Sequence, residues 1–351
     1  MSKLIYLPLE HIPSRYTVHM DRDITEYLED SQAATGREFI KIYPDIPTPT
    51  SMKAGSFLDA EFTIRFKAAQ IEEVARLYRE DVIDSGDIIW SSDLWHPGLP
   101  ESIAYMNYFA KKDVKLRGLI HAGSFTDTDF VRDMERWAKN FEDIIFDISD
   151  TIYCASNFIK EDIIRKRMVD PNKLVVSGLP VDYSGLDYHK GQTKENIVIF
   201  NGRLCDEKQP WLFDELEKQV NEKTNGNLNA KFIKTQEENL SKGEYYSLLG
   251  KSKAIVSYAL QENFGFGVAE AVYLGCKPVL PNRLVYPELY PNTKLFDRFE
   301  ESVDMVIEAL LSTAEFPSQV VSDPNHVFNL WFSRPTTTPK KMYRPDIEEM
   351  Q

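Results

Sequence analysis

Apolar and polar positions along the chain alternate between two rhythms. Short runs of β-branched and aromatic residues, each bounded by turn formers, occur at 3–9 (KLIYLPL), 38–43 (EFIKIY), 87–92 (DIIWSS), 116–122 (LRGLIHA), 151–156 (TIYCAS) and 173–178 (KLVVSG). These runs predict strands. Between several of them the apolar residues recur at helical spacing, with Ile71, Val74, Ala75 and Tyr78 inside 69–81 and Phe130, Met134, Trp137 and Phe141 inside 127–148. Strands alternating with amphipathic helices predict parallel sheets covered by helices on both faces.

The polar stretch DYHKGQTKEN at 187–196 has no periodicity and reads as a linker. Beyond it the pattern restarts. Strands are predicted at 196–202, 230–235, 253–260 and 277–281, and helices from about Glu207, from about Gly265 and over 300–311. The chain thus divides into a first domain over 1–187, a second over 188–320, and a segment over 321–351. That segment is expected to return a helix to the first domain, anchored by Phe328, Leu330 and Trp331. Two doubly wound α/β domains place the natural binding site in the cleft between them, beyond the carboxyl ends of their strands.

Bulk composition narrows the partners. With 351 residues, 42% hydrophobic and 27% charged, the chain suits two globular domains. A net charge of −14 argues against a broad electrostatic grip on nucleic acid and leaves room only for a local basic groove. The basic clusters Arg165–Lys166–Arg167 and PKKMYRP (339–345) read as a solvated helix face and a terminus. Cys154, Cys205 and Cys276 form neither a metal spacing nor a disulfide framework. No signal-peptide run and no bilayer-spanning run is apparent, so a cytoplasmic location is expected.

Two stretches carry chemistry. In FNGRLCDEKQPWLF (200–213) a strand ends, Gly202 turns the chain, and Arg203 and Lys208 follow near a helix start. That arrangement can hold phosphate oxygens, or it can be an ordinary loop with two exposed cations. In ALQENFGFGVAEA (259–271), Gly265, Phe266 and Gly267 open a helix between Glu262 on the loop and Glu270 on the helix. Bare helix-start amides suit a diphosphate, and carboxylates on either side suit hydroxyls of one long ligand; a capping Glu and a surface Glu are the plainer alternative. His121 ends a first-domain strand in GLIHAGSF (118–125), facing a ligand or simply hydrogen-bonded. The DTD at 127–129 reads as a helix cap. Trp90, Trp95, His96, Tyr105 and Tyr108 are able to stack on a base or a sugar, or to fill the core.

Together the two motifs resemble the C-terminal domain of retaining glycosyltransferases of the GT-B fold, nearest the large family 4 group. That group is marked by a GRL…EK loop (here Gly202-Arg203-Leu204 and Glu207-Lys208) and by two Glu separated by seven residues (here Glu262 and Glu270). The resemblance covers about 150–315. It implies two Rossmann-like domains facing a cleft, and transfer of a sugar from a nucleotide-diphosphate sugar, a UDP-sugar for preference. No metal and no cofactor beyond this co-substrate are implied. Arg203 and Lys208 would hold the diphosphate, assisted by Gly202, Gly265, Phe266 and Gly267. Glu270 would bind the ribose, Glu262 the transferred sugar, and His121 would line the reaction centre.

The chain departs from that pattern after its first strand. The family commonly has a glycine-rich loop there, whereas 7–23 (LPLEHIPSRYTVHMDRD) contains no glycine. Either the contact made by that loop is absent, or Ser14, Arg15 and Tyr16 make it through their side chains; Arg15 is the candidate for a phosphate or acceptor contact, with a salt bridge as the alternative. On the acceptor side, LPLEHIPSRYT and GDIIWSSDLWHPGLPES (86–102) resemble glycosyltransferase-like proteins of tailed bacteriophages, some of which glycosylate modified bases of their own DNA. GCKPVLPNRLVYPELYP (275–291) resembles enzymes that mannosylate queuosine in tRNA. The expected acceptor is therefore the hydroxymethyl group of a modified pyrimidine in phage DNA, with Arg15, Trp95 and His96 on the acceptor side and host cytoplasm as the setting. A polysaccharide or small glycoconjugate acceptor, and a non-catalytic nucleotide-sugar-binding protein, are the alternatives. The oligomeric state stays open.

Overall fold

Strands that pair on both edges and are covered on both faces need apolar side chains pointing both ways, and the short runs supply them. The computed structural model describes residues 2–12, 16–47, 59–314 and 316–332. In the first domain the order is β1 (Leu4–Leu7), α1 (Tyr16–Thr35), β2 (Phe39–Lys41), α2 (Ala60–Arg79), β3 (Ile88–Ser91), α3 (Leu99–Ala110), β4 (Lys115–Leu119), α4 (Glu135–Ile148), β5 (Thr151–Cys154), α5 (Asn157–Lys166) and β6 (Leu174–Val176). Its six strands are all parallel in the order β2-β1-β3-β4-β5-β6. Alternate residues serve opposite faces. Leu4, Tyr6, Ile88 and Trp90 join one core, while Ile5, Leu7, Ile89 and Leu116 join another beneath α2 to α5.

The second domain runs β7 (Glu195–Phe200), α6 (Pro210–Thr224), β8 (Lys231–Lys234), α7 (Lys242–Lys251), β9 (Ser252–Val256), α8 (Phe266–Tyr273), β10 (Lys277–Val279), α9 (Tyr286–Leu289) and α10 (Phe299–Leu311). Its four strands are parallel in the order β10-β9-β7-β8. Val198, Phe200 and Val256 meet Phe213 and Leu216 of α6 and Val303 and Val306 of α10. Ile197, Ile199 and Ile255, on the other face, belong to the same core cluster as Tyr6 and Trp90 of the first domain.

Helix α11 (Pro324–Phe332) lies on the first sheet. The Trp331 ring sits 5.2 Å from that of Trp90, its indole N–H donates to Ser177 Oγ at 2.9 Å, and Arg37 donates to the Phe332 carbonyl at 2.7 Å. No helix among the described residues is long and apolar enough to cross a membrane.

Two elements differ from the pattern-based expectation. Helix α1 begins at Tyr16, inside the stretch read as loop, and buries Met20, Ile24 and Leu28 four residues apart. The helix expected from Glu207 is a single 3-10 turn, Asp206–Lys208, stopped by Gln209 at φ 53°; Pro210 then opens α6.

Candidate functional site

Strand order reverses between β1 and β3 in the first sheet and between β7 and β9 in the second. Loops leaving such neighbouring strands part in opposite directions and leave a crevice at the carboxyl edge. The two crevices face one another across a cleft of about 1030 Å³, lined from one side by residues including Glu10, Tyr16, Trp95 and His121 and from the other by Asn201 to Arg203, Lys208 and Gln261 to Val268.

Both sequence motifs lie on the second-domain wall, and they are laced together. The Leu260 amide donates to the Glu207 carbonyl at 2.7 Å. Lys208 Nζ donates to the Gln261 carbonyl and lies 3.3 Å from Glu262 Oε2. Lys208 is 8% exposed, so its charge sits at the floor of the cleft with little water around it. Arg203 is half-exposed at the rim and pairs with Glu207. Gly265, at φ 81°, takes the left-handed conformation that starts α8, and no side chain caps the helix. Its first amides are therefore left for a ligand. Gly267 is required for a different reason, since a Cβ there would lie 2.1 Å from Asn201 Nδ2.

Glu262 stays on the loop, where it accepts from the Asn263 amide at 3.2 Å, and it lines the cleft. Glu270 lies one turn deeper, behind the lining. Tyr245 and Tyr246 hydroxyls donate to it at 3.1 and 3.3 Å, and Lys242 lies 3.2 Å away.

His121 brings the first domain to the same point. Its Nε2–H donates to the Ser92 carbonyl at 2.8 Å, which leaves Nδ1 to accept from Tyr16 Oη at 3.2 Å. Burial lowers its pKa from 6.5, so the imidazole is neutral at neutral pH. Asn263 Nδ2 donates to the His121 carbonyl at 2.6 Å, and the Tyr16 ring stacks on Phe266 at 4.8 Å. Tyr16, the first residue of α1, thus reaches the cleft from the glycine-free segment that follows β1. Asn263 was not singled out from sequence, because an asparagine on a loop carries no distinguishing pattern, and Tyr16 was named only together with Ser14 and Arg15 as a replacement for the missing glycines.

The remaining candidates divide. Trp95 lines the cleft, and its Nε1 donates to Glu142 at 3.2 Å. His96 does not face the cleft. It is 2% exposed and donates from Nε2 to Gln70 Oε1 at 3.0 Å, while Gln70 donates on to the Pro8 carbonyl at 2.9 Å, so the histidine braces the β1 loop from inside. Trp90 is core, and Tyr105 and Tyr108 project from the outer face of α3, 66% and 71% exposed. Arg15 lies outside the described residues. Of the DTD, Asp129 caps the 3-10 turn that precedes α4, accepting from the Val131 amide at 3.1 Å, and Asp127 pairs with Lys166 at 2.8 Å. Of the basic cluster, Arg167 is buried against Glu142. No group of three His, Cys, Asp or Glu suited to a metal ion occurs among the described residues.

His96 gives a testable pH dependence. Burial, with Lys67 nearby, holds its imidazole well below the ordinary 6.5. A depressed pKa contributes stability above the unfolded value that is lost as pH falls toward the folded value. Melting temperature should therefore decline below about pH 6.5, the unfolded-state histidine value, and His96→Gln should flatten that decline in a thermal-melt series. An unchanged slope would place the acid sensitivity elsewhere.

No family model matches the chain. A stretch of 106 residues is 34% identical to a tRNA-queuosine alpha-mannosyltransferase of Drosophila melanogaster; it covers 30% of this chain and only about a quarter (26%) of that protein. Likeness of structure extends over the whole chain. Anabaena HepE, solved with UDP and glucose, superposes with a TM-score of 0.59 over 95% of this chain and 96% of its own at 12% identity. The catalytic domain of Arabidopsis thaliana starch synthase IV, bound to ADP and acarbose, does so with a TM-score of 0.60 over 95% and 100% at 9% identity. The chain has the GT-B fold: two Rossmann-like domains facing one cleft.

Proposed function

We propose that this protein is a retaining glycosyltransferase that takes a sugar from a nucleotide-diphosphate sugar, a UDP-sugar for preference, and passes it to an acceptor hydroxyl. The observation that carries this reading is the placement of buried Lys208 beside Glu262 in the cleft whose same wall carries the uncapped start of α8, with His121 on the wall opposite. Cations and oriented amides stabilise charge that develops on a leaving diphosphate, and they are already in place before it forms. In the reaction the bond from the anomeric carbon to the phosphate oxygen breaks. The acceptor oxygen attacks from the same face, and its proton passes to the departing phosphate. Neither a metal nor a protein nucleophile enters this scheme.

Glu270 supports the ribose end. A donor binding along α8 reaches it once Lys242, Tyr245 or Tyr246 yields a hydrogen bond. Glu270→Ala should weaken UDP binding by about 1.5–3 kcal/mol, the worth of a charge-assisted hydrogen bond. Wild-type protein should show a thermal shift with UDP and slow nucleotide release from a UDP-sugar; a wild type that neither binds nor hydrolyses any nucleotide sugar would sink the reading.

Modified-base DNA is the less favoured acceptor. Among the described residues the charged cleft lining comprises Glu10, Asp93, Asp129 and Glu262 against Lys67, Arg203 and Lys208, so no basic track for a phosphate backbone is present. The stretch shared with the tRNA-queuosine enzyme nevertheless favours an acceptor hydroxyl carried on a nucleoside as one member of the acceptor panel.

A further inference from the structure

The first-domain wall holds a carboxylate that the donor chemistry does not use. Glu10 follows β1, lines the cleft and is 3% exposed, yet its Oε1 has no hydrogen-bond partner among the described residues. Its carbonyl accepts from Thr17 Oγ1 at 2.9 Å, which fixes the loop against α1. A buried carboxylate oxygen left without a donor is unfavourable, and such an atom at a cleft wall is satisfied when a ligand supplies one. Lys67, on the same wall, is not that partner: its ammonium donates to the Trp95 carbonyl at 2.8 Å and lies 3.8 Å from Asp93.

The same cleft is lined by an aromatic pair. Trp95 is pinned by Glu142 through its indole N–H and packs edge-on against Phe141, with ring centroids 5.2 Å apart. Trp137, 5.9 Å from Trp95, lines the same cleft and is 51% exposed. An exposed indole at a cleft wall offers a flat apolar face, and a carboxylate accepts hydrogen bonds from hydroxyls at both of its oxygens.

Building on the glycosyltransferase reading, we propose that Glu10 receives the acceptor's hydroxyl hydrogens while Trp95 and Trp137 stack on the ring that bears them. The acceptor is an uncharged hydroxylated ring, either a sugar or a nucleoside. Glu10 is a positioning residue: it orients the acceptor and leaves the leaving group to Lys208.

The test titrates the full chain, with UDP present, using phenyl β-glucoside, 5-hydroxymethyldeoxycytidine and a short DNA duplex containing that base. Wild type, Glu10→Gln and Trp137→Ala are compared by calorimetry. At least one of the two small rings should bind wild type, and which one binds separates the sugar source from the nucleoside source. Each variant should weaken that binding about tenfold or more, the worth of one charged or stacking contact, with UDP affinity unchanged. Equal binding by both variants, no binding of either ring, or a preference for the duplex that fades with salt would overturn the proposal. Loss of UDP binding in wild type with the ring results intact would instead remove the glycosyltransferase reading and leave the ring site standing.

Discussion

Lys208→Ala is expected to lower kcat for sugar transfer by about 10²–10³-fold, the effect of deleting one preorganised donor at a developing anion. The KM for the donor should change far less. Lys208 is 8% exposed and its ammonium lies between the Gln261 carbonyl and Glu262, so its position is set before substrate arrives. In the proposed scheme Arg203 and the α8 amides hold the donor in the ground state, which leaves Lys208 to act mainly on the transition state. The variant should keep the UDP thermal shift of wild type. Steady-state kinetics in which kcat is preserved and only KM rises would assign Lys208 to uniform donor binding instead.

Arg167→Ala carries the largest expected effect on stability, a loss of about 3–5 kcal/mol, because it strands a partner charge in the interior. Glu142 is 0% exposed. It accepts from the Ser124 amide at 2.6 Å, from Ser124 Oγ at 2.9 Å and from Arg167 Nε at 2.7 Å. Arg167 also donates to Ser124 Oγ at 2.7 Å. This network fixes the segment three residues beyond His121, and through Trp95 Nε1 it reaches the first-domain wall of the cleft. The double variant Arg167→Met/Glu142→Leu removes both charges and should recover part of the loss in urea denaturation. A double variant as unstable as the sum of the two singles would show that the charges do not depend on one another.

The strands and the second-domain lining of the cleft were legible in the sequence for a physical reason. Parallel strands buried on both faces are continuous apolar runs, and each of the runs at 3–9, 87–92 and 253–260 overlaps a strand of the final sheets. Arg203, Lys208 and the Gly265–Gly267 turn were legible because backbone approach and a helix start leave glycine and cation signatures. The first-domain wall of the cleft left none. Alternation along β3 predicts that Trp90 and its neighbours face opposite ways, but not which way the cleft lies, and Trp90 faces the core. His96 and Trp95 are adjacent in the chain, yet one is sealed inside and the other lines the cleft. Glu10 is one of 55 acidic residues, and nothing local marks its oxygen as one that is buried without a partner. Helix α1 went unseen because charged residues between Met20, Ile24 and Leu28 mask a narrow apolar stripe.

Activation of a nucleotide-diphosphate sugar by the second-domain wall can be read as nucleotide release, measured by incubating the wild-type chain and Lys208→Ala with a panel of UDP-, GDP- and ADP-sugars. Release from one nucleotide class by wild type, suppressed in Lys208→Ala while binding of that nucleotide persists, is the predicted result. Release that is the same in both proteins would contradict it.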